Sequence, residues 1–375
     1  MNSRRPFFVF GALYPRVTGG MEIFNYYFVR HWLEQEQRPL LYWTENSVAG
    51  LERHHVLNRA RKPIRFFHPV DLFSSIWRNR KLISFVYMGY ARTSWSIPFF
   101  SALIFRLMGI PYVITIHSGG DPGWKFPQPY RYYFRHARAV VGVSESICKD
   151  YAAAVPGLKP VEIPPLIPFQ TSRQPKAALK KAYGIPEADQ VLLFVGSLKG
   201  LKNPDTVLEA FVKWVTAHPE GNLTLFFAGS GELKTLLEQK ASAPGLSGKV
   251  KFGGNIDREA VPDLYRMADV YCIASDYEGT SLSLLEALYN GLPVLAADSP
   301  GLNRMIQHEN QGLLFRTRDA DSLSEQLDRL LANKELCKTL GVRARVSYEK
   351  SYSYSSMIDQ YKKLFQSIDP EGKWS

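Results

Sequence analysis

Short apolar runs alternate with amphipathic stretches along most of the 375-residue chain. Such alternation is typical of α/β proteins, in which buried parallel strands are joined by crossover helices. In the first half, the apolar runs predict strands at residues 7–10, 39–42, 83–87, 112–116, 139–143 and 161–163. Helical spacing of apolar residues predicts helices at 21–36, 95–108 and 128–136, and Ser144 is expected to cap the next helix.

The alternation restarts in the second half of the chain. Four prolines within residues 164–175 interrupt it, and a linker is expected there. The pattern therefore predicts two α/β domains, residues 1–165 and 177–352, joined by a linker at 166–176. Strands of the second domain are predicted at 191–195, 223–228, 250–252, 270–273, 294–297 and 312–315, and the helices that follow the linker at 204–217, 232–240, 258–268, 281–289, 322–332, 336–348 and 353–366.

Residues 275–298 carry the strongest functional signal in the sequence. Glu278 lies in a loop rich in Gly, Thr and Ser, and Glu286 follows eight residues later on the helix that this loop opens. Unpaired backbone N–H groups at a helix start bind anions, and carboxylates beside them accept hydrogen bonds from sugar and ribose hydroxyls. The arrangement suits a nucleotide diphosphate sugar. The alternative is an ordinary helix–strand unit with two solvated glutamates.

The same segment resembles the E-x7-E signature of retaining glycosyltransferases of family 4, which have the GT-B fold. The family pattern E-G-x6-E-A-x3-G-x-P-V is matched by Glu278-Gly279, Glu286-Ala287, Gly291 and Pro293-Val294. The resemblance implies an α/β fold of two Rossmann-like domains, with parallel sheets facing each other across a cleft that holds the donor. It also implies that a C-terminal helix, within residues 353–375, crosses back to the first domain.

By this resemblance, Glu286 is expected to bind the ribose, and Glu278 the hydroxyls of the transferred sugar. The diphosphate is expected to meet the backbone of the loop and helix start at Gly279, Thr280, Ser281, Leu282 and Ser283. GT-B enzymes generally hold the diphosphate without a metal. The one D-x-D triplet, which begins at Asp319, is better explained by helix capping, so neither a metal nor another cofactor is expected.

Residues 194–202 form a second candidate phosphate loop. Gly196 ends an apolar run, and Lys202 stands where the next helix opens, so its cation is expected beside the diphosphate. The family has G-R-x4-K here, and this chain has Ser197 in place of the arginine. Serine donates one hydrogen bond and carries no charge, and Lys199 is a candidate substitute. The alternative is a solvated, lysine-rich loop.

The remaining donor positions also rest on the resemblance. Gly229 belongs to a strand-then-G-x-G turn, and Asn255 with Ile256 follows the segment that precedes the base-binding loop. In the first half, the pair Gly19-Gly20 opens a helix and is expected near the donor; the alternative is a flexible loop.

His117 follows a predicted strand, where side chains of open α/β sheets face the ligand crevice, and it is expected to touch the donor sugar. The alternative for His117 is a structural histidine. Asp121 is expected to form a turn, with binding of an acceptor hydroxyl as its alternative.

The net charge is concentrated in the first half of the chain. Residues 1–165 contain 21 Lys/Arg and 10 Asp/Glu, a net charge of +11, whereas residues 166–375 contain 25 of each. This asymmetry indicates an anionic partner, and arginines among aromatic residues at 59–67 suit an anionic membrane surface. The alternative is that the charge serves solubility alone. Zinc-finger and RNA-binding signatures are missing, so no nucleic acid is expected.

The three cysteines include no C-x-x-C pair, which favours a reducing compartment over a disulfide framework. The longest apolar stretch, residues 96–116, is interrupted by Arg106, Gly109 and Pro111 and is not expected to span a membrane. A cytoplasmic location is predicted, with peripheral contact on the inner membrane face as an open option.

Together these features predict a retaining glycosyltransferase of the hexosyltransferase type. The expected reaction moves a sugar from a nucleotide-diphosphate sugar to a glycan or lipid-linked acceptor in cell-surface polysaccharide synthesis, with His117, Glu278 and Lys202 as catalytic residues. Two alternatives stay open. One is a GT-B epimerase or hydrolase that acts on the nucleotide sugar alone. The other is a non-catalytic nucleotide-sugar-binding subunit, which is compatible with the missing arginine.

Overall fold

A computed structural model describes residues 7–10, 20–36, 40–43, 77–78, 80–81, 83–90, 97–117 and 128–368. The chain divides into two compact units. Unit 1 comprises Met1–Pro168 and Tyr354–Ser375, and unit 2 comprises Phe169–Ser353. Within the described ranges, no helix is long and apolar enough to cross a membrane.

Unit 1 is built on a parallel sheet, which has six strands among the described residues, in the order β2-β1-β3-β4-β5-β6. Every residue of β4 is buried, because helices cover both faces of a parallel sheet. The strands are β1 (Phe7–Phe10), β2 (Leu40–Trp43), β3 (Val86–Tyr90), β4 (Tyr112–Ile116), β5 (Ala139–Gly142) and β6 (Val161–Glu162).

The helices of unit 1 follow the strands. The side chain of Ser144 accepts a hydrogen bond from the Ile147 backbone N–H (3.4 Å), so the predicted cap is confirmed. The first predicted helix ends early, because His31–Gln35 form a π-helical turn. The helices are α1 (Gly20–Arg30), α2 (Ile97–Leu107), α3 (Gln128–Arg135) and α4 (Glu145–Ala154).

Unit 2 repeats the architecture with a second parallel sheet of six strands, in the order β12-β11-β10-β7-β8-β9. Its strands are β7 (Gln190–Val195), β8 (Leu223–Ala228), β9 (Val250–Gly254), β10 (Val270–Ile273), β11 (Val294–Ala297) and β12 (Gly312–Phe315). Its helices are α5 (Lys176–Ala182), α6 (Pro204–Ala217), α7 (Lys234–Ala241), α8 (Val261–Met267), α9 (Leu282–Tyr289), α10 (Leu302–Met305), α11 (Ala320–Ala332) and α12 (Lys334–Ser351).

The last helix, α13 (Tyr354–Ile368), belongs to unit 1. Its Tyr361 ring packs edge-on against Phe28 of α1 at 4.8 Å between centroids, and Phe365 lies 4.7 Å from Phe85. The Tyr361 hydroxyl also lies 3.2 Å from Thr115 Oγ1 on β4. Burying each such ring contributes about 1.5–3 kcal/mol, so α13 is part of the core of unit 1.

Strand β3 and two of the helices also differ from the sequence prediction. Strand β3 begins at Val86 rather than at residue 83, because its ladder with β4 runs from the Val86–Tyr112 pair to the Tyr90–Ile116 pair. Ile83 is buried without being part of the strand. Helices α5 and α10 were not predicted, since α5 follows a proline-rich stretch and α10 is a single turn.

Candidate functional site

The segment with the two glutamates forms a loop and helix between β10 and β11. Ser281 is the N-cap of α9, and its Oγ accepts a hydrogen bond from the Leu284 backbone N–H (3.4 Å). Gly291 ends the helix with a φ of 67°, a left-handed conformation that favours glycine. The predicted strand–loop–helix arrangement is thus confirmed, with Glu278 in the loop and Glu286 in the second turn of α9.

Glu278 and Lys202 are brought together by the fold. Lys202 Nζ donates to Glu278 Oε1 at 2.5 Å, and the Ser275 hydroxyl donates to the same oxygen at 2.8 Å. The lysine side chain is 32% exposed and the glutamate 12%, so the lysine is the more accessible partner of the pair. Two of the predicted site residues, 76 positions apart in sequence, therefore form one ion pair.

Glu286 is buried, and each of its carboxylate oxygens contacts one neighbouring side chain. Its Oε1 is paired with Arg258, and its Oε2 accepts a hydrogen bond from the Tyr265 hydroxyl at 2.9 Å. Burial raises the pKa of Glu286, while the nearby Arg258 guanidinium and the Tyr265 hydrogen bond act in the opposite direction. Neither Arg258 nor Tyr265 was singled out from the sequence.

The start of α9 lies within electrostatic range of both carboxylates. The Tyr271 hydroxyl donates to Ser283 Oγ at 2.9 Å, and Ser283 Oγ lies 3.1 Å from Ser281 Oγ. Burial raises the pKa of Tyr271 well above its usual value, and both Glu278 and Glu286 raise it further. The hydroxyl-rich helix start therefore has the two acids as electrostatic neighbours.

The loop that carries Lys202 packs directly on the G-x-G turn. A Cβ on Gly229 would lie 1.9 Å from the Gly196 carbonyl oxygen, and a Cβ on Gly231 would lie 2.3 Å from that of Leu198. The Leu198 N–H donates to the Ser230 carbonyl at 3.0 Å. These glycines are thus required by the approach of two backbones; contact of Gly229 and Gly196 with a nucleotide stays a prediction.

Asn203 joins the loop after β7 to the loop after β10. Its Nδ2 donates to the Ala274 carbonyl (2.9 Å) and to Asp276 Oδ1 (2.6 Å), and its φ of 46° is left-handed. Asn203 occupies the N-cap position of α6, but its side chain makes no capping hydrogen bond.

Asp276 is also held from the other side by Arg318. The guanidinium donates through Nε to Oδ1 (2.9 Å) and through Nη2 to Oδ2 (2.5 Å), a bidentate pair that holds the pKa of Asp276 below its usual value. Spacing gives no signal for these partners, which lie 42 positions apart.

The predicted base-binding residues follow β9. Asn255 is exposed and Ile256 half-buried, directly after Gly254 with its φ of 65°. The Gly254 carbonyl accepts a hydrogen bond from the Gly229 N–H at 2.8 Å, so the two turns are neighbours. Ser197 and Lys199 lie in the loop after β7; Ser197 is half-buried and Lys199 is exposed.

In unit 1, His117 follows β4 directly. Its ring lies 5.3 Å from Phe24 of α1, the helix that begins at Gly20. Its Nε2 is buried and has no hydrogen-bond partner among the described residues, and burial lowers the pKa of His117 to about 3. The imidazole is therefore neutral at physiological pH. Gly19 and Asp121 lie outside the described residues.

The D-x-D triplet acts as a helix cap. Asp319 Oδ1 accepts from the Ser322 backbone N–H at 2.8 Å at the start of α11, which confirms the predicted capping role. Among the residues that the structure describes, no cluster of His, Cys, Asp or Glu is arranged to hold a metal ion.

Comparison with known families covers most of the chain. Residues 18–168 match the model of Glycosyltransferase Family 4, and residues 175–347 match that of Glycosyl transferases group 1. The chain belongs to the family 4/group 1 glycosyltransferases, which are retaining enzymes of the GT-B fold. It is thus an enzyme that transfers a sugar from a nucleotide-diphosphate sugar.

Individual relatives are distant. N-acetyl-alpha-D-glucosaminyl L-malate synthase of Bacillus anthracis is 27% identical over 277 residues, which cover 70% of each chain. An uncharacterized glycosyltransferase of Methanocaldococcus jannaschii is 25% identical over 292 residues, covering 72% of this chain and 73% of the relative.

Among solved structures, Anabaena HepE in complex with UDP and glucose is similar over 97% of this chain and 100% of its own, with a TM-score of 0.79 at 17% identity. Sucrose-phosphate synthase from Thermosynechococcus elongatus is similar over 97% of this chain and 99% of its own, with a TM-score of 0.73 at 19% identity. These similarities show the GT-B fold, as predicted.

Proposed function

We propose that this glycosyltransferase transfers a hexose from a UDP-sugar to a glycan or lipid-linked acceptor in cell-surface polysaccharide synthesis. The observation that carries the donor assignment is the Lys202–Glu278 pair beside the start of α9. A cation beside a carboxylate suits a ligand that carries a diphosphate next to a sugar, and this supports the assignment. Uridine is the first candidate base because HepE, which has the same fold, was crystallised with UDP.

In this proposal the diphosphate binds Lys202, the Ser197 hydroxyl and the backbone N–H groups at the start of α9, from Gly279 to Ser283. An anion is favoured there because these N–H groups have no acceptor within the helix. Lys202 then turns from Glu278 towards the phosphates, and Glu278 accepts hydrogen bonds from the sugar hydroxyls. Glu286 takes the ribose, and Asn255 with Ile256 borders the base.

Departure of the diphosphate leaves an oxocarbenium-like sugar, so stabilising the leaving charge is the main catalytic task. Preorganised donors at Lys202 and the helix start perform it. The resemblance implies that the neutral His117 touches the transferred sugar and that Gly19 and Gly20 lie near the donor. We propose that the acceptor attacks on the face of the leaving group, which retains the anomeric configuration.

A thermal-shift screen of nucleotide sugars tests the donor assignment, because a ligand that binds the native state raises the melting temperature. UDP-sugars are expected to raise it in the wild-type protein. Lys202→Ala and Glu286→Ala should abolish the shift, whereas Glu278→Ala should lose turnover more than binding. Full affinity in Lys202→Ala would overturn the phosphate assignment.

Turnover assays separate the remaining functions. Transfer that requires an added glycan or lipid-linked acceptor supports the proposal. Consumption of the donor without any acceptor would instead indicate a hydrolase or epimerase. Binding without turnover across a broad panel of acceptors would indicate a non-catalytic subunit, the reading that Ser197 keeps open.

A further inference from the structure

Arg258 lies at a junction between two parts of the proposed nucleotide site. It follows Asn255 and Ile256, the predicted base-binding residues, by three and two positions, in the connection between β9 and α8. Its guanidinium reaches the carboxylate of Glu286 on α9. Side-chain exposure is 14% for the arginine and 6% for the glutamate, so most of this ion pair is removed from water.

The contacts of Glu286 leave capacity for a ligand. An ionised carboxylate has about four lone-pair sites. Arg258 occupies one on Oε1, and the Tyr265 hydroxyl occupies one on Oε2. Among the described residues, no other side chain hydrogen-bonds this carboxylate, so one site on each oxygen is left for the two adjacent O–H donors of a ribose. A protonated carboxyl group would lose part of this accepting capacity.

We propose that Arg258 is a positioning residue for the nucleotide: it fixes the orientation of Glu286 and keeps that carboxylate charged, so that it accepts hydrogen bonds from both ribose hydroxyls. The inference rests on the proposed function, in which Glu286 binds the ribose. It adds Arg258 to the proposed nucleotide site, a residue that the sequence pattern does not reveal because it lies outside the E-x7-E segment.

The charges around Glu286 support this role. Among the described residues, the titratable groups that act on it are Arg258 and Tyr265, and Tyr271 on β10 is a further electrostatic neighbour. Burial raises the pKa of both tyrosines well above their usual value, so they stay neutral at physiological pH. Arg258 is therefore the one positive charge in this set that opposes the effect of burial on Glu286.

The direction of the pH effect follows from these contacts. Burial already raises the pKa of Glu286, and loss of Arg258 removes the largest opposing contribution. In Arg258→Met, Glu286 should therefore take up a proton at a higher pH than in the wild type. Recognition of the ribose hydroxyls needs the charged form of Glu286. As the pH is lowered, the variant should therefore lose this recognition at a higher pH than the wild type does.

The test compares the affinities of UDP, 2′-deoxy-UDP and 3′-deoxy-UDP between pH 5 and pH 9 by calorimetry. The readout is the ratio of UDP to deoxy affinity, because titration of the phosphates then cancels. In the wild type, removal of a ribose hydroxyl should cost about tenfold, as expected for a hydrogen bond to a charged group. In Arg258→Met this ratio should shrink at neutral pH and recover at alkaline pH, and Arg258→Lys should restore part of it.

Control variants separate the role of Arg258 from that of Glu286 and from the general effect of removing an arginine. Arg266→Met removes an exposed arginine of α8 and should leave the ratio unchanged. Since a lone buried carboxylate is destabilising, the double variant Arg258→Met/Glu286→Gln keeps the fold testable by removing both charges, and it should show no ribose discrimination. Discrimination that survives in Glu286→Gln alone would overturn the ribose assignment itself. If Glu286→Gln loses discrimination while Arg258→Met keeps the wild-type ratio and pH profile, the role of Arg258 is wrong.

Discussion

At the scale of single residues, the site is notable for what its cation contacts. Lys202 is already paired with Glu278 at 2.5 Å, so in the proposed donor complex a diphosphate competes with a carboxylate for the same ammonium group. Ser275 holds Glu278 Oε1 from the other side at 2.8 Å. If Lys202 binds the diphosphate as proposed, the strength of this pair limits how tightly a nucleotide without a sugar binds.

Glu278→Gln tests this competition. The variant removes the negative charge that holds Lys202, so we expect UDP to bind more tightly, by about twofold to fivefold, as for the loss of a partly exposed ion pair. The extra affinity of the UDP-sugar over UDP should disappear, because the acceptor for the sugar hydroxyls is weakened. Calorimetry with both ligands measures the two effects.

Glu209→Gln is the matched control, since Glu209 forms an exposed pair with Lys240 elsewhere on unit 2. An unchanged UDP affinity in Glu278→Gln would show that the ion pair does not restrain Lys202.

Ser197→Arg tests the departure from the family pattern. Arginine binds phosphate through two parallel N–H donors and carries a charge, whereas serine offers one uncharged donor. If the loop after β7 is the phosphate loop, UDP affinity should rise about tenfold and become more sensitive to salt. Ser197→Gln, which is long but uncharged, is the control. Equal affinities in the two variants would contradict the assignment of this loop.

At the scale of elements, Lys202 and Glu278 lie on two loops that contact each other, the loop after β7 and the loop after β10. Asp276, in the loop after β10, links them because it accepts a hydrogen bond from Asn203 in the loop after β7. Arg318, in the segment after β12, also donates to Asp276. Asn203 and Arg318 both adopt left-handed backbone, with φ of 46° and 60°. Such strain costs about 1–3 kcal/mol per residue and persists where the surroundings enforce it.

Two substitutions of Asn203 separate backbone strain from positioning. Asn203→Gly tolerates the left-handed backbone but loses both side-chain hydrogen bonds, and Asn203→Ala loses the bonds and adds strain. Both should raise KM for the donor, because the loops of Lys202 and Glu278 are no longer joined. Only Asn203→Ala should lose a further ~1 kcal/mol of stability. A donor KM at the wild-type level in Asn203→Gly would show that the link does not position the site.

The sequence predicts elements better than it predicts these links. Apolar runs locate β4, β7, β8 and β10 almost to the residue, since buried parallel strands need continuous apolar stretches. The glutamate motif is local as well, because one loop and one helix carry it. Arg258, Asp276 and Arg318 were missed because their partners are distant in sequence, and only tertiary packing brings them together.

At the scale of the whole molecule, the two halves of the chain differ in net charge. The net charge of +11 lies within residues 1–165, and the remainder is neutral. Many of these cations lie outside the described residues, but Arg135 and Arg138 are exposed on unit 1 around the end of α3. An anionic membrane attracts such residues by about 1 kcal/mol each near the surface, and salt weakens the attraction.

Vesicle sedimentation tests whether this charge serves a lipid-linked acceptor. The full chain should bind vesicles that contain anionic lipid, release them at high salt and ignore neutral vesicles. Arg135→Gln/Arg138→Gln should weaken binding about tenfold or more, because two attractive charges are lost. The paired control, Lys334→Gln/Lys338→Gln, removes two exposed charges from unit 2 and should have little effect, since that half is neutral overall. Equal losses of vesicle binding in the two double variants would mean that net charge alone governs adsorption. If the wild-type chain does not bind anionic vesicles at low salt, the membrane proposal is wrong and the positive charge serves solubility.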